Sequence, residues 1–241
     1  MLIIPAIDLI DGQCVRLFQG RFDRATVYGD PTEQLAAFEA AGAQWTHIVD
    51  LDGAKSGARR QTALVARLAR ASTVKLQCGG GVRTREDVAA LLGAGVERVV
   101  VGSAAVRAPR EVNGWIEEFG ADRICCAFDV RRDAAGVYSV SVDGWTKDGG
   151  RALDIVLDAF DGGPLRHVLA TDISRDGALA GPNVELVRSM AESRPRLAVQ
   201  ASGGVSSLAD LTALRATGAA AVIVGRALYE KRFTLEDALA G

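Results

Sequence analysis

The thirty residues from Gln77, QCGGGVRTREDVAALLGAGVERVVVGSAAV, return without a gap 123 residues later as QASGGVSSLADLTALRATGAAAVIVGRALY, with 12 identities. Each copy reads as an apolar strand, a glycine cluster, a stretch of helical spacing, a β-branched strand and a further glycine. A strand–helix–strand unit of this kind pairs its strands in parallel through a right-handed crossover, so both faces of the sheet are covered. Writing the unit twice restricts the chain to a few closed or doubly wound α/β arrangements.

The rest of the chain extends the alternation. Short apolar runs predict strands at Leu2–Asp8, Thr46–Leu51, Val74–Cys78, Arg98–Val101, Ile124–Val130, His167–Thr171, Leu197–Ala201 and Ala221–Val224. Ala/Leu-rich stretches between them predict helices at Pro31–Ala41, Thr62–Ala71, Arg85–Ala94, Glu111–Phe119, Leu153–Phe160, Val184–Glu192 and Ser207–Ala216, with a last helix starting near Leu228 or Thr234. Eight such units in 241 residues fit a closed (β/α)8 TIM barrel better than an open sheet. No Pro/Gly/Ser linker divides the chain, so residues 1–241 are expected to form a single domain. IPAIDL around Asp8 resembles CCAFDV around Asp129, and HIVDLDGAKSG from His47 resembles HVLATDISRDG from His167, at offsets of 121 and 120. These offsets predict two duplicated half-barrels, about 1–120 and 121–241. They match His47 with His167, Asp52 with Asp172 and Gly57 with Gly177.

The duplication locates a candidate site. Glycines 79–81 and 203–204 follow strands three and seven, and Gly102 and Gly225 follow strands four and eight. All stand at the carboxyl end of the barrel, where this fold builds its active sites. Glycine lets backbone N–H groups approach a ligand, and helix N-termini add positive potential, a combination that suits phosphate. A tight βα turn would also use such glycines, but two clusters, each paired with a neighbouring glycine, favour a ligand with a phosphate at each end. Asp8 and Asp129 end strands one and five on the barrel's inner face. Set across the mouth between the phosphates, one ionised and one protonated carboxyl group would make a general base and a general acid.

Composition narrows the partners. A net charge of −2 argues against a nucleic-acid partner. No apolar run reaches a membrane span, and MLIIPAIDLI lacks the basic start of a signal peptide. Cys14, Cys78, Cys125 and Cys126 show no CxxC spacing and are expected to be reduced, which fits a cytoplasmic protein. No HxH or HExxH spacing supports a metal. His47 and His167 lie among apolar strand residues and read as core or helix-packing histidines.

The words IIPAIDLIDGQCVRL, HIVDLDGAKSG, GGGVRTREDV, VVVGSAAV, AFDV, GW, TDISRDGALAGPN, SGGV and VIVGRAL span nearly the whole chain. In this order they resemble the phosphoribosylformimino-aminoimidazole carboxamide ribotide isomerases of histidine biosynthesis. The resemblance implies a single barrel that runs an Amadori rearrangement on a substrate with two phosphoribosyl groups, without metal or organic cofactor. It makes Asp8 the base and Asp129 the acid. Thr171 and Asp176 match positions that hold or protonate the substrate, and either Asp129 or Asp176 delivers the ring-opening proton. One phosphate is expected on Gly80, Gly81, Gly102 and Ser103, the other on Gly177, Gly203, Gly204, Gly225 and Arg226. Arg16 and Arg83 are candidates for neutralising nearby charge, and Trp145 for a lid that stacks on the imidazole. The segments Arg16–Gly29 and Asp143–Gly150 are expected to be the lid loops, and the chain to be a monomer.

Three other readings compete. The sister cyclase resembles a pattern with a lysine in VVKG, where this chain has VRLFQG. An isomerase that also accepts phosphoribosylanthranilate differs in the loops after strands one and five. A non-catalytic phosphosugar-binding barrel is disfavoured by the intact Asp8 and Asp129.

Overall fold

The computed structural model of the chain describes residues 1–145 and 147–241; Thr146, inside the expected strand-five lid, lies outside the described residues. The chain opens with β1 (Leu2–Ile10), turns back through β2 (Gln13–Phe18) and β3 (Arg21–Gly29), and enters α1 (Pro31–Ala40). Next come β4 (Trp45–Asp50), α2 (Leu51–Ser56), α3 (Thr62–Ala71), β5 (Lys75–Gly79), α4 (Arg85–Gly93), β6 (Arg98–Val101), α5 (Ser103–Arg107) and α6 (Pro109–Phe119). The second half repeats this order with β7 (Ile124–Arg132), β8 (Tyr138–Val142), β9 (Lys147–Ala152), α7 (Leu153–Asp158), β10 (His167–Asp172) and α8 (Val184–Ser193). It finishes with β11 (Ala198–Ser202), α9 (Leu208–Arg215), β12 (Ala221–Val224), α10 (Arg226–Tyr229) and α11 (Leu235–Ala240).

Strands β1, β4, β5, β6, β7, β10, β11 and β12 pair in parallel, and the ring closes because β7 also pairs β10 and β12 pairs β1. The protein is a (β/α)8 barrel. Two layers of apolar side chains hold it. The larger lies between the barrel and its helices; the smaller fills the barrel with Ile4, Ala6, Val100, Cys125, Ala127, Leu169, Ala221 and Ile223. Ala6 and Ala127 stand two residues below Asp8 and Asp129 on the inner face, and their small size leaves open space beneath the carboxylates. Among the described residues no helix is long and apolar enough to cross a membrane.

Local sequence explains the helix starts. Thr84 and Asp87 close a capping box on α4, and Ser207 and Asp210 close another on α9, 123 residues later. The expected lid segments are hairpins rather than loops. Asp11 and Gly12 (φ 48° and 78°) fold β2 back on β1, and Gln19 and Gly20 (φ 49° and 71°) fold β3 back on β2, both as two-residue primed turns require. In the second half β8 pairs with β7 and β9 with β8 in the same way.

The register revises one alignment. Asp8 lies opposite Val49 and Asp129 opposite Thr171, while His47 lies opposite Gln77 and Leu169 opposite Gln200. The counterpart of His47 is therefore Leu169, not His167, and the counterpart of Asp50 is Asp172. Asp50 accepts the N–H groups of Gly53, Arg60 and Gln61 at 2.7–2.9 Å. Asp172 accepts Ser174 N–H, Ser174 Oγ and Asn183 Nδ2 at 2.6–3.0 Å. Each buried carboxylate ties down the loop after its strand, and that loop leans on the neighbouring glycine cluster. A Cβ on Gly80 would overlap the Asp50 carbonyl oxygen; one on Gly203 would stand 3.1 Å from the Asp172 carbonyl oxygen. Both glycines also take positive φ, +96° and +90°.

These contacts predict unequal damage from the same substitution. Gly203→Ala bears mainly the backbone penalty, about 1–2 kcal/mol. Gly80→Ala adds an overlap with a backbone atom and should lose about 3 kcal/mol or more. Urea unfolding of the two variants checks this, and equal losses would remove the Asp50 contact from the account.

Candidate active site

Every site residue singled out from the sequence lines one cavity at the carboxyl end of the barrel. It holds Asp8, Asp129, Thr171 and Asp176, together with Arg16, Gly80, Gly81, Arg83, Gly102, Ser103, Trp145, Gly177, Gly203, Gly204, Gly225 and Arg226. The strands set the inner ring. The βα loops and the two hairpins form the rim. The carboxyl ends of β1 and β7 carry Asp8 and Asp129, and β10 sets Thr171 beside Asp129 in the ladder.

The two duplicated aspartates have different surroundings. Asp8 is ion-paired with Arg16, Oδ2 to Nη1 at 2.7 Å. Arg16 is buried on β2; burial works against its charge, but the Asp8 carboxylate prevails and holds it above the ordinary arginine range. Among the described residues Asp129 has no such cation. Burial raises its carboxyl group above the usual range, partly offset by hydrogen bonds from the Trp145 indole and the Thr171 hydroxyl. Asp176, on the loop after β10, is pushed up to about 7 by burial and then by the charge of Asp8, with Arg16 opposing the shift. Two carboxyl groups held above the ordinary range therefore stand beside one in an ion pair. This is an acid–base arrangement.

The rim joins both halves. The Trp145 ring packs on Gly20 at the tip of the first hairpin. Gln19 N–H donates to the Asp176 carbonyl at 3.2 Å, and Gln19 Nε2 to the Ser174 carbonyl at 2.8 Å. Asp143 is a second hub, taking Arg107 at 2.7 Å, Lys147 at 3.2 Å and Arg83 at 3.3 Å, and donating its N–H to Ser103 Oγ. Hydrogen bonding to Arg107 brings its carboxyl group down to about 2. Arg226 Nη1 donates to the Gly177 carbonyl at 2.6 Å. Gly102 and Gly225 begin α5 and α10 with matching angles, φ −96° and ψ −93° against φ −109° and ψ −102°, and neither helix has a side-chain cap. Their first N–H groups thus point to the cavity end without a side-chain acceptor.

This geometry is joined by a match of residues 2–234 to the model for histidine biosynthesis proteins. The chain belongs to the histidine biosynthesis protein family. A relative from Maricaulis maris is 52% identical over 241 residues, covering 100% of this chain and 98% of its own. Relatives from Vibrio cholerae serotype O1 and Cronobacter sakazakii are each 50% identical, over 240 and 239 residues, covering 99% of this chain and 98% of theirs. All three are named 1-(5-phosphoribosyl)-5-((5-phosphoribosylamino)methylideneamino)imidazole-4-carboxamide isomerase.

Sequence reasoning within this family missed several residues. His47 is buried, as a core histidine is, but on the barrel's inner face, where it lines the cavity. Arg98 Nη1 donates to Gln77 Oε1 at 3.2 Å; arginine only donates, so the Gln77 amide nitrogen must face Gln200 Oε1 at 2.8 Å and His47 Nδ1 at 3.1 Å. Nδ1 accepts, so the His47 proton sits on Nε2. Burial, reinforced by Arg16, drops the imidazole to about 3. Strand alternation with Val49 could have identified that face. Gly225 also has a role beyond the expected phosphate contact: its missing side chain leaves room for the Arg16 guanidinium, which a Cβ would meet at 3.1 Å.

The Asp176 shift carries a stability consequence. With a folded value of about 7 against an ordinary 3.8, its contribution is full below pH 4 and is lost as pH climbs to 7. Asp176→Asn has no charge to bury. The variant should match the parent near pH 4 and become the more stable of the two towards pH 8, measured by urea unfolding across that range. A gap independent of pH would contradict the raised value.

Proposed function

We propose that this chain is a ProFAR isomerase: it converts the aminoaldose named in its relatives to the corresponding aminoketose by an Amadori rearrangement. The observation that carries the mechanism is the inequality of the paired aspartates, one ion-paired with Arg16 and the other buried among hydrogen-bond donors. The family and the relatives' names supply the reaction class.

Asp129 or Asp176 gives a proton to the ring oxygen of the aminoaldose ribose, the bond from that oxygen to the first carbon breaks, and a protonated imine forms. Asp8 then removes the proton from the second carbon, giving an enolamine. The enolamine takes a proton at the first carbon while the hydroxyl on its second carbon gives one up, and it becomes the aminoketose. No net redox change occurs, since one hydrogen moves between neighbouring carbons. Burial and the charge of Asp8 push Asp176 up to about 7, which suits repeated protonation and release. Thr171, beside Asp129 in the ladder, aligns the acid and the sugar.

The uncapped starts of α5 and α10 support a phosphate at each end of the cavity, one over Gly80, Gly81, Gly102 and Ser103, the other over Gly177, Gly203, Gly204, Gly225 and Arg226. Arg83 neutralises the first, and Arg16 serves Asp8. Trp145, already against the opposite hairpin, covers the imidazole. All of these groups come from one chain, which supports a monomer as the working form. The cyclase and phosphoribosylanthranilate readings are less favoured, because the relatives cited carry only the carboxamide isomerase name.

Asp8→Asn keeps the side-chain shape and leaves both phosphate ends intact, so calorimetric substrate affinity should fall only modestly. Turnover by absorbance should drop about 10²–10⁴-fold. Near-normal turnover would move the base elsewhere. Substrate should also add hydrogen-exchange protection to Arg16–Gly29 and Asp143–Gly150, since a covered imine needs both hairpins in place. Unchanged protection would remove the lid role of Trp145.

A further inference from the structure

Arg16 sits in an enclosure built largely by the last βα unit. Its Nη1 faces Asp8, its Nη2 donates to the Ala6 carbonyl, and its Nε has no acceptor. The guanidinium carbon lies 4.7 Å from the centroid of the Tyr229 ring, and the Tyr229 hydroxyl donates to the same Ala6 carbonyl at 3.0 Å. Tyr229 is itself held in place. Its ring stands 4.7 Å from that of Tyr28 and edge-on to Phe38 at 6.3 Å, and Tyr28 is tied to Glu230 at 2.9 Å. Among the described residues, Asp8 is the only carboxylate ion-paired with Arg16.

We propose that Tyr229 is a positioning residue for Asp8, acting through Arg16. An arginine side chain has many rotamers, and a single ion pair would leave its free end able to swing. The aromatic face and the shared Ala6 carbonyl remove that freedom. They hold the fork against the carboxylate, and the lone Nε rests where the π face compensates for its missing acceptor. Asp8 then has one orientation towards the sugar's second carbon. A displacement of about 1 Å at such a group costs on the order of 10²-fold in rate. One phosphate end starts on the same helix, but Tyr229 itself does not line the cavity and its hydroxyl is engaged by Ala6, so affinity should depend on it little. This inference rests on Asp8 being the base.

The test is steady-state kinetics with the relatives' named substrate. Tyr229→Leu, which removes both the ring face and the hydroxyl, should lower kcat by about 10- to 100-fold, with KM changed by less than about threefold. Tyr229→Phe keeps the ring and should restore most of the loss. In an Arg16→Lys background Tyr229→Leu should add little, because the fork it holds is already gone. Should Tyr229→Leu fail to fold in urea titrations, Tyr229→Met takes its place, filling the volume without a π face. Unchanged kcat, or full additivity with Arg16→Lys, overturns the proposal. Asp8→Asn assayed alongside separates the two readings. Normal turnover there removes the base assignment, whereas normal turnover in Tyr229→Leu beside an inactive Asp8→Asn removes only the role of Tyr229.

Discussion

One ion pair separates two aspartates that gene duplication would otherwise leave alike. Asp8 and Asp129 occupy the same place on corresponding strands, each above an alanine and each at the start of a hairpin. Chemical equivalence would be useless here, because a rearrangement needs one group to take a proton and another to give one. Arg16 breaks the equivalence on the side of Asp8. Asp8 pairs with Val15 and Asp129 with Ser141, so the next position, filled by Arg16 on the first hairpin, holds Val142 on the second, and burial with neutral donors is left to dominate around Asp129. In the mechanism proposed above, the direction of proton flow follows from which hairpin carries the arginine.

That asymmetry has to be maintained in a dry interior. A guanidinium removed from water is destabilising unless its donors are met, and here Asp8, the Ala6 carbonyl and the Tyr229 face meet most of them. Asp176 adds a carboxyl group raised by the same burial and by Asp8 itself. Each group would be more comfortable in solvent. Their burial pre-sets the charges before substrate arrives, so little reorganisation is left for the reaction itself.

The fold was legible because its signals are periodic and repeated. The eight barrel strands fall within a residue or two of their expected limits, and all the expected cavity residues converge, since the carboxyl ends of barrel strands can lie in only one place. What escaped is non-periodic. The β3 strand is largely exposed, so RFDRATVYG lacks the alternation that marks a half-buried strand, and its hairpin reads as a loop. The His47–His167 match failed because identity of letters misled where register decides; the two-residue slip is visible only in strand pairing. Tyr229 was invisible for another reason. Its contact with Arg16 spans the chain's two ends, and no local spacing announces an aromatic face under a cation.

The two kinds of duplicated residue should therefore diverge in what their substitution changes. Gln77 and Gln200 exchange hydrogen bonds at 2.8 and 3.1 Å inside the barrel, where the two halves meet, and neither asks for a difference between them. The same holds for the loop-anchoring Asp50 and Asp172 and for the capping boxes on α4 and α9. These positions keep the symmetry of the repeat because backbone geometry is the same problem in both halves. Arg16, Thr171, Asp176 and Tyr229 have no residue of the same kind across the repeat, Thr171 answering to Val49, because in the proposed mechanism acid and base are different problems. Symmetric pairs support the scaffold, so their loss acts first on stability. In the proposed mechanism the unpaired residues set charge and aim, so their loss should act first on rate, and Asp176 above all stands against the stability of the fold that carries it.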